Sequence, residues 1–334
     1  MANSLDFKSV LDLSTLIKSK ELSPVELLNH SISRIDALEK KLNTFASLDI
    51  DSAKQMAKAS EERALKGSLL SELDGIPTSI KDLIAQKGHP QRFGSKTTPK
   101  TNLEIDAPSV ERLRNAGAVL LGKSTTSEFG CKAVGDSPLT GITRNPWDLE
   151  KTPGGSSCGA AAQVASGMLP FAIGTDGGGS VRIPASLTGL FGIKAQFGRV
   201  PVYPVSATPT LAHVGPLCRN VTDAAMVLKV ISGHDRKDPF SVSQNVPDYI
   251  GATKEDSKLK ILVSSTLGYA NPDQEVLRVF NNTVKYIEKL GHEVENNEKI
   301  MDEDPVELWN AEFYAGVGTK LKAVIESKPE LIDP

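Results

Sequence analysis

The sequence predicts an α/β fold with a mixed central β-sheet covered by helices on both faces. Short apolar runs that suit buried strands alternate with longer segments whose apolar residues recur at helical spacing. The composition, 39% apolar and 24% charged, is typical of a globular protein. No internal repeat, low-complexity tract or linker divides the sequence, so we expect a single domain over residues 1–334.

The first 67 residues predict a helical segment. Ser23 and Glu26 can form a capping box, after which apolar residues recur on one helical face, namely Val25, Leu28, Ile32, Ile35 and Leu38. A second helical pattern stops at Gly67. The two predicted helices cover residues 23–40 and 51–66.

The alternation continues beyond this segment. PTSIKDLIA, residues 77–85, predicts a buried strand or turn that carries Lys81. The further predicted elements are a helix and strand within 107–124, a small-residue helix at 159–168, a strand at 169–175, a helix at 221–232, a strand at 260–265, a helix at 272–290 and a strand at 292–295. The polar segment 242–258 predicts a surface loop within the same domain.

Charge and cysteine content exclude several classes of protein. A net charge of −3 gives no electrostatic footprint for nucleic acid or an acidic membrane surface. No apolar run approaches the ~20 residues of a membrane-spanning helix, and MANSLDFKSV lacks a basic-then-apolar leader. The three cysteines form neither a disulfide framework nor a zinc pattern. We expect a cytoplasmic protein without nucleic-acid or membrane partners, compatible with a homodimer.

Two short motifs point to other enzymes but lack the structural context they need. Residues 117–124 fit the nucleotide P-loop G-x-x-x-x-G-K-S, yet the four middle residues are themselves an apolar strand. Residues 155–159 fit the hydrolase elbow G-x-S-x-G, which must follow a strand directly, whereas RNPWDLEKTPGG precedes it. A Ser-His-Asp triad completed by His213 or His234 stays open.

The stretch TDGGGSVRIP, residues 175–184, carries the clearest chemical signal. Three successive glycines cost backbone entropy, so some feature must require them. Backbone N–H groups of Gly177, Gly178 and Gly179 would stabilise negative charge on a carbonyl oxygen during acyl transfer. Ser180 follows them at a predicted helix N-terminus, where the helix dipole also favours an oxyanion. A glycine-rich turn capped by a serine is the alternative.

Several separated blocks resemble the amidase signature family, in the family's order. PGGSSCGAAAQVASG and GTDGGGSVRIPAS are similar to its hallmark, PGGSSGG followed by a small-residue helix and G[TS]D-x-GGS-[IV]-R-x-PA. GIPTSIKD, LGKSTTSEFG, PLTGITRNPWD and TLAHVGPLCRNVTDAAMVL resemble other family blocks. The resemblance implies an amidase signature fold over 1–334, with an N-terminal helical segment at 1–67 and a catalytic core at 75–230.

The resemblance also implies a Ser–Ser–Lys triad without histidine. Ser180 would be the nucleophile that forms an acyl-enzyme, Ser156 in a Gly–Ser cis peptide would relay the proton, and Lys81 would be the terminal base. A lysine serves as a base only when neutral, and burial lowers its pKa toward that state. The apolar neighbours of Lys81 suit such a site: Ile80, Leu83 and Ile84.

Other residues near these blocks have expected supporting roles. Ser157 would orient its loop, while Asp176 and Arg182 would fix the oxyanion loop or form only a local ion pair. Cys158 departs from the family's glycine, and we expect a small buried apolar residue. Family members usually run beyond ELIDP, so the last sheet elements and part of the substrate pocket are expected to be absent.

The implied activity is hydrolysis of the C–N bond of a linear, non-peptide amide to an acid and ammonia or an amine. We expect a small-molecule substrate and no metal or cofactor, because the sequence lacks H-E-x-x-H, a Cys/His cluster and a valid phosphate loop. A glutaminase subunit of a tRNA-dependent amidotransferase is one alternative. That subunit typically has glutamine where this chain has Ile183. An inactive truncated homologue or scaffold is the other alternative.

Overall fold

The computed structural model describes residues 5–333, which divide into two units of the chain. The first unit runs to Thr253 and resumes at Gly316, and the second is Lys254–Ala315. The first contains, in order, α1 (Val10–Lys18), α2 (Pro24–Leu42), β1 (Phe45–Leu48), α3 (Ile50–Lys66), β2 (Pro77–Lys81), α4 (Pro108–Asn115), β3 (Val119–Ser124), β4 (Asp136–Ser137), β5 (Gly141–Ile142), α5 (Cys158–Ala165), β6 (Phe171–Asp176), α6 (Arg182–Thr188), β7 (Phe191–Gly192), β8 (His213–Cys218), α7 (Val221–Ile231) and α8 (Tyr249–Ala252). The second contains β9 (Lys260–Val263), α9 (Gln274–Lys289) and β10 (Glu293–Asn296), and α10 (Val306–Ser327) begins in it.

The central sheet of the first unit has the strand order β1-β3-β2-β6-β8-β7. Strands β3, β2 and β6 run parallel, while β1, β8 and β7 pair antiparallel with their neighbours. Lys81 pairs with Ser124 at the ends of β2 and β3, and Asp176 at the end of β6 pairs with His213 at the start of β8. The parallel strands therefore deliver Lys81 and Asp176 to the same edge of the sheet.

Helices cover both faces of this sheet, as the sequence predicts. Side chains alternate along a strand, so Leu120 of β3 packs with α1, α4 and α7, whereas Leu121 packs with α2 and α3. In β6, Phe171 faces the first of these clusters and Ala172 packs with α5 and α6. The face that carries α5 and α6 is the one that holds the candidate site.

Most predicted elements are present within a few residues. The capping box of α2 forms through Ser23 and Glu26, and Gly67 ends α3 with φ of +68°. Strand β8 was not predicted, because it contains Gly215 and Pro216. Pro216 lies opposite Ile173 of β6, and β7 pairs only with the last two residues of β8.

The P-loop-like motif is a strand in the structure, which confirms the interpretation from the sequence. Gly122 lies inside β3 with φ of +140°, and a Cβ atom there would come within 2.2 Å of the Ser47 carbonyl oxygen. The polar segment 242–258 holds the short helix α8 and the point where the two units divide. In the second unit, β9 and β10 pair in parallel as a separate two-stranded sheet. Across the described residues, every helix is too short or too polar to cross a bilayer.

Candidate active site

Lys81 is the last residue of β2, and its side chain is entirely buried. Ile80 belongs to the apolar cluster on one face of the sheet, so Ser79 and Lys81 point to the other face. The Ser79 hydroxyl donates to Gln163 of α5 on that face. Ile80 and Ile84, two of the apolar sequence neighbours of Lys81, both belong to the cluster on the opposite face.

Three hydroxyl oxygens surround the Lys81 amine instead. Nζ lies 2.7 Å from Ser156 Oγ, 3.0 Å from Ser157 Oγ and 2.9 Å from Thr175 Oγ1. Burial lowers the pKa of Lys81 to about 7, and the nearby Cys158 and Asp176 oppose that shift. Near neutral pH the amine is therefore neutral in a large fraction of molecules. A neutral amine has two N–H groups and one lone pair, so it donates hydrogen bonds to two of these hydroxyls and accepts one from the third.

Ser156 lies in a closely packed turn before α5. The Gly155–Ser156 peptide bond is cis, and the Ser156 side chain is buried. A Cβ atom on Gly155 would come within 2.3 Å of the Val134 carbonyl oxygen, so only glycine fits there. A Cβ atom on Gly130 would lie 3.2 Å from Ser156 Oγ, so the backbone of that loop covers the hydroxyl.

The Ser157 hydroxyl has all its hydrogen-bonding groups engaged. Its oxygen accepts from Lys81 Nζ at 3.0 Å and from the Thr175 N–H at 3.3 Å, and its proton goes to the Thr175 carbonyl at 3.2 Å. The Ser157 N–H donates to the Ser180 carbonyl at 3.2 Å. Ser157 thus ties β6, the Lys81 amine and the Ser180 loop together.

Asp176 organises the glycine-rich loop that follows β6. Its buried carboxylate accepts from the N–H groups of Gly179 at 2.8 Å and Val181 at 3.2 Å. Arg182 forms a bidentate pair with it, with Nε–Oδ2 and Nη2–Oδ1 distances of 2.9 and 2.8 Å. Burial alone would raise the pKa of Asp176, but the Arg182 guanidinium and these N–H groups outweigh it and lower the pKa. The ion pair expected from the sequence is therefore built into the loop.

Ser180 is half-buried beside this loop. Helix α6 begins at Arg182 and its N-cap is Val181, so Ser180 lies one residue before the cap instead of at the helix N-terminus. The Gly179 N–H is used by Asp176, which departs from the expectation that all three glycines serve an oxyanion. Within residues 5–333, the N–H groups of Gly177, Gly178 and Ser180 donate to no acceptor, and the Ser180 hydroxyl makes no hydrogen bond.

Among the described residues, no hydrogen bond joins His213, His234 or Cys158 to Ser156, Ser157 or Ser180. His213 contacts the Leu211 carbonyl and Lys194, and the His234 ring lies near the Ser241 carbonyl. Cys158 is buried at the start of α5, and burial raises the pKa of its thiol. The loop before Ser156 contains no strand, so the elbow motif lacks its required context.

Thr175 is the site residue that the sequence interpretation missed. Only its position could have indicated a role, because Thr175 directly precedes Asp176 in TDGGGS and lies on β6, the strand beside β2. Its hydroxyl is the third partner of the Lys81 amine.

Comparison with known proteins identifies the family. The profile of the Amidase family matches residues 26–321. The chain is 43% identical over 243 residues to the A subunit of the glutamyl-tRNA(Gln) amidotransferase of Anaeromyxobacter dehalogenans, covering 72% of this chain and 49% of that protein. The same-named protein of Coxiella burnetii is 37% identical over 286 residues, covering 85% and 59%. The chain thus spans about half to three fifths of the length of these curated relatives.

Solved structures of amidases share the fold. A bacterial aryl acylamidase of the amidase signature family superposes with a TM-score of 0.91 at 29% identity, covering 99% of this chain and 71% of that one. A 6-aminohexanoate cyclic dimer hydrolase gives a TM-score of 0.88 at 27% identity, covering 98% and 69%. With the profile match and the curated relatives, this likeness shows that the chain belongs to the amidase signature family.

Proposed function

We propose that the chain hydrolyses the C–N bond of a carboxylic amide, with Ser180 as nucleophile, Ser156 as proton relay and Lys81 as base. The observation that carries this proposal is the buried Lys81 amine, 2.7 Å from Ser156 Oγ, which has hydroxyl partners in place of a carboxylate. Because no carboxylate of residues 5–333 forms an ion pair with this amine, a lysine with a pKa of about 7 is suited to accept a proton.

The first half of the reaction forms an acyl-enzyme. Neutral Lys81 takes the proton of Ser156 Oγ, which takes the proton of Ser180 Oγ as that oxygen attacks the amide carbonyl carbon. The carbonyl oxygen becomes an oxyanion, which the free N–H groups of Gly177, Gly178 and Ser180 are able to bind.

The tetrahedral intermediate then collapses and the C–N bond breaks. The leaving nitrogen receives a proton that returns from Lys81 through Ser156, and ammonia or an amine departs. Water attacks the ester on Ser180 while the same relay takes its proton. The second collapse breaks the ester bond, returns the proton to Ser180 Oγ and releases the acid. The relay ends each cycle with Lys81 neutral.

Ser157 and Thr175 would hold the Lys81 amine, while the Asp176–Arg182 pair would hold the oxyanion loop. The hydrogen bonds of these groups go to other protein groups, so their expected role is to fix the geometry of the site. Ile183 contributes an apolar surface beside the loop, since its Cδ1 would lie 2.7 Å from a Cβ atom on Gly179. This surface supports an amide with an apolar group, and the name of the aryl acylamidase makes an aryl amide the first substrate to test.

A glutaminase subunit of a tRNA-dependent amidotransferase is the second candidate. The names of the curated relatives favour it, at 37–43% identity. It would use the same triad on glutamine and deliver ammonia to partner subunits. The apolar Ile183 opposes it, because the resemblance places glutamine at that position in such subunits.

The test is an assay of the purified protein with an aryl amide and with glutamine, combined with a fluorophosphonate probe. We expect aryl amide turnover and labelling of Ser180 that Ser180→Ala abolishes. Ser186→Ala, an exposed serine on α6, is the matched control and should keep labelling. Turnover of glutamine alone would favour the second candidate. Absence of both turnover and labelling would indicate an inactive homologue.

A further inference from the structure

A loop of residues 127–135 lies directly on the Gly155–Ser156 turn. Gly130 covers Ser156 Oγ, and the main chain of Lys132 and Val134 packs on Gly155, with the Lys132 carbonyl 2.9 Å from an ideal Cβ atom there. Within the loop, the Ser127 hydroxyl donates to the Lys132 carbonyl at 3.0 Å. This loop therefore separates the proton relay from the outside of the molecule.

A segment distant in sequence fastens this loop. The Asp333 N–H donates to Glu128 Oε2 at 2.7 Å, and the Asp333 carboxylate lies 2.7 Å from Lys132 Nζ. The Asp333 side chain is only 16% exposed, so solvent screens this pair less than an ordinary surface pair. The hydrogen bond to Asp333 also raises the pKa of Lys132, which keeps the lysine charged. Glu128 and Lys132 are thus both held from outside the loop, on either side of Gly130.

We propose that Asp333 and Lys132 are positioning residues, whose contact holds the loop 127–135 closed over Ser156 and keeps water away from Lys81. The catalytic consequence rests on the proposed function. The contact itself is a property of the fold and is testable without turnover.

The consequence follows from how the Lys81 pKa is set. The other titratable groups that act on the amine, Cys158 and Asp176, both raise its pKa, so burial alone depresses it. A loosened loop would admit water and let the pKa rise from about 7 toward its ordinary value of 10.5. A rise of about one unit leaves roughly a tenth of the amine neutral at pH 7 instead of half, a fivefold loss of active base.

The experiment compares Asp333→Ala and Lys132→Met with the conservative Lys132→Arg. Charge reversal at 132 is avoided because Glu128 and Asp136 also face this lysine. We expect Asp333→Ala and Lys132→Met to lower kcat at pH 7 about fivefold. The rise of kcat with pH should move to higher pH, so that activity recovers at pH 9. Lys132→Arg keeps the charge and should retain most of the wild-type profile.

Glu111→Gln is the control, because it breaks an exposed ion pair with Lys237. It should change neither the rate nor the pH profile. If kcat of Asp333→Ala and Lys132→Met fell equally at every pH, with no shift of the pH profile, the cause would be general destabilisation and the proposal would be overturned. An equal shift in Glu111→Gln would overturn it as well.

Hydrogen–deuterium exchange separates this inference from the proposed function. In Asp333→Ala, amides of 128–135 and 155–157 should exchange faster than in wild type and Glu111→Gln. Unchanged exchange would overturn the proposed contact. If wild-type protein shows neither turnover nor Ser180 labelling, the proposed function fails, while faster exchange in Asp333→Ala still supports the closed loop.

Discussion

The ionisation of Lys81 gives the sharpest prediction, because pH itself perturbs the proposed base. With a pKa of about 7, roughly a tenth of the amine is neutral at pH 6 and roughly nine tenths at pH 8. If the neutral amine is the base, kcat/KM should rise about tenfold across that interval and level off above pH 8. An ordinary exposed lysine would produce this rise near pH 10.

The assay is the initial rate of aryl amide hydrolysis from pH 5.5 to 9.5, with the rate of fluorophosphonate labelling as a second measure. Lys81→Ala and Lys81→Arg should both remove most of the rate, since arginine does not lose its proton. His213→Ala is the control. Burial lowers the pKa of His213 below 6.5, so a histidine base would put the rise at lower pH. A rise that survives Lys81→Ala and disappears in His213→Ala would refute the lysine mechanism.

Three further predictions concern the surroundings of this amine. Thr175→Val removes one hydrogen-bond acceptor from the ammonium form of Lys81, so the rise of kcat/KM with pH should move to lower pH. An unchanged midpoint of that rise would show that the 2.9 Å contact does not affect the pKa of Lys81. Gly155→Ala places a Cβ atom 2.3 Å from the Val134 carbonyl and should lower the thermal midpoint by several degrees and abolish labelling, whereas Lys237→Ala, at an exposed ion pair, should change neither. Lys81→Met should alter the pH dependence of stability measured by urea unfolding. Because the folded pKa is depressed, the unfolded chain binds the extra proton between about pH 7 and 10.5, so the stability of wild type relative to Lys81→Met should rise across that window; a constant difference would argue against the depressed pKa.

Local sequence signals were sufficient for most helices and for the fold class. The capping box at Ser23 and the helix end at Gly67 depend on contacts within one helical turn, so they can be predicted from the local sequence alone. Helix α1 was missed, although Ser9 and Asp12 form a capping box there as well. Strand β8 was missed because its stability comes from pairing with β6, which outweighs the local cost of Gly215 and Pro216.

The site was predictable only in part, because its geometry depends on strand pairing. Lys81 meets Ser156 and Thr175 because β2 and β6 run parallel and end at the same edge, which no local periodicity encodes. The family resemblance supplied that proximity for Ser156 but not for Thr175. The role of Gly179 could not be read from the glycine run either, since the Asp176 carboxylate takes its N–H only once the loop is folded.

The ring of hydroxyls around Lys81 also has a consequence for inhibitor design. The direct partners of the amine are uncharged hydroxyls, so a neutral Lys81 becomes a cation beside Ser156 when the proton leaves Ser180. A boronic acid that bonds to Ser180 Oγ would become an anionic tetrahedral adduct and leave Lys81 as a cation. The two opposite charges would then appear together in a buried, weakly screened site, where their attraction is larger than in water. Compounds that create charge on binding should therefore outperform analogues of the same shape that remain neutral.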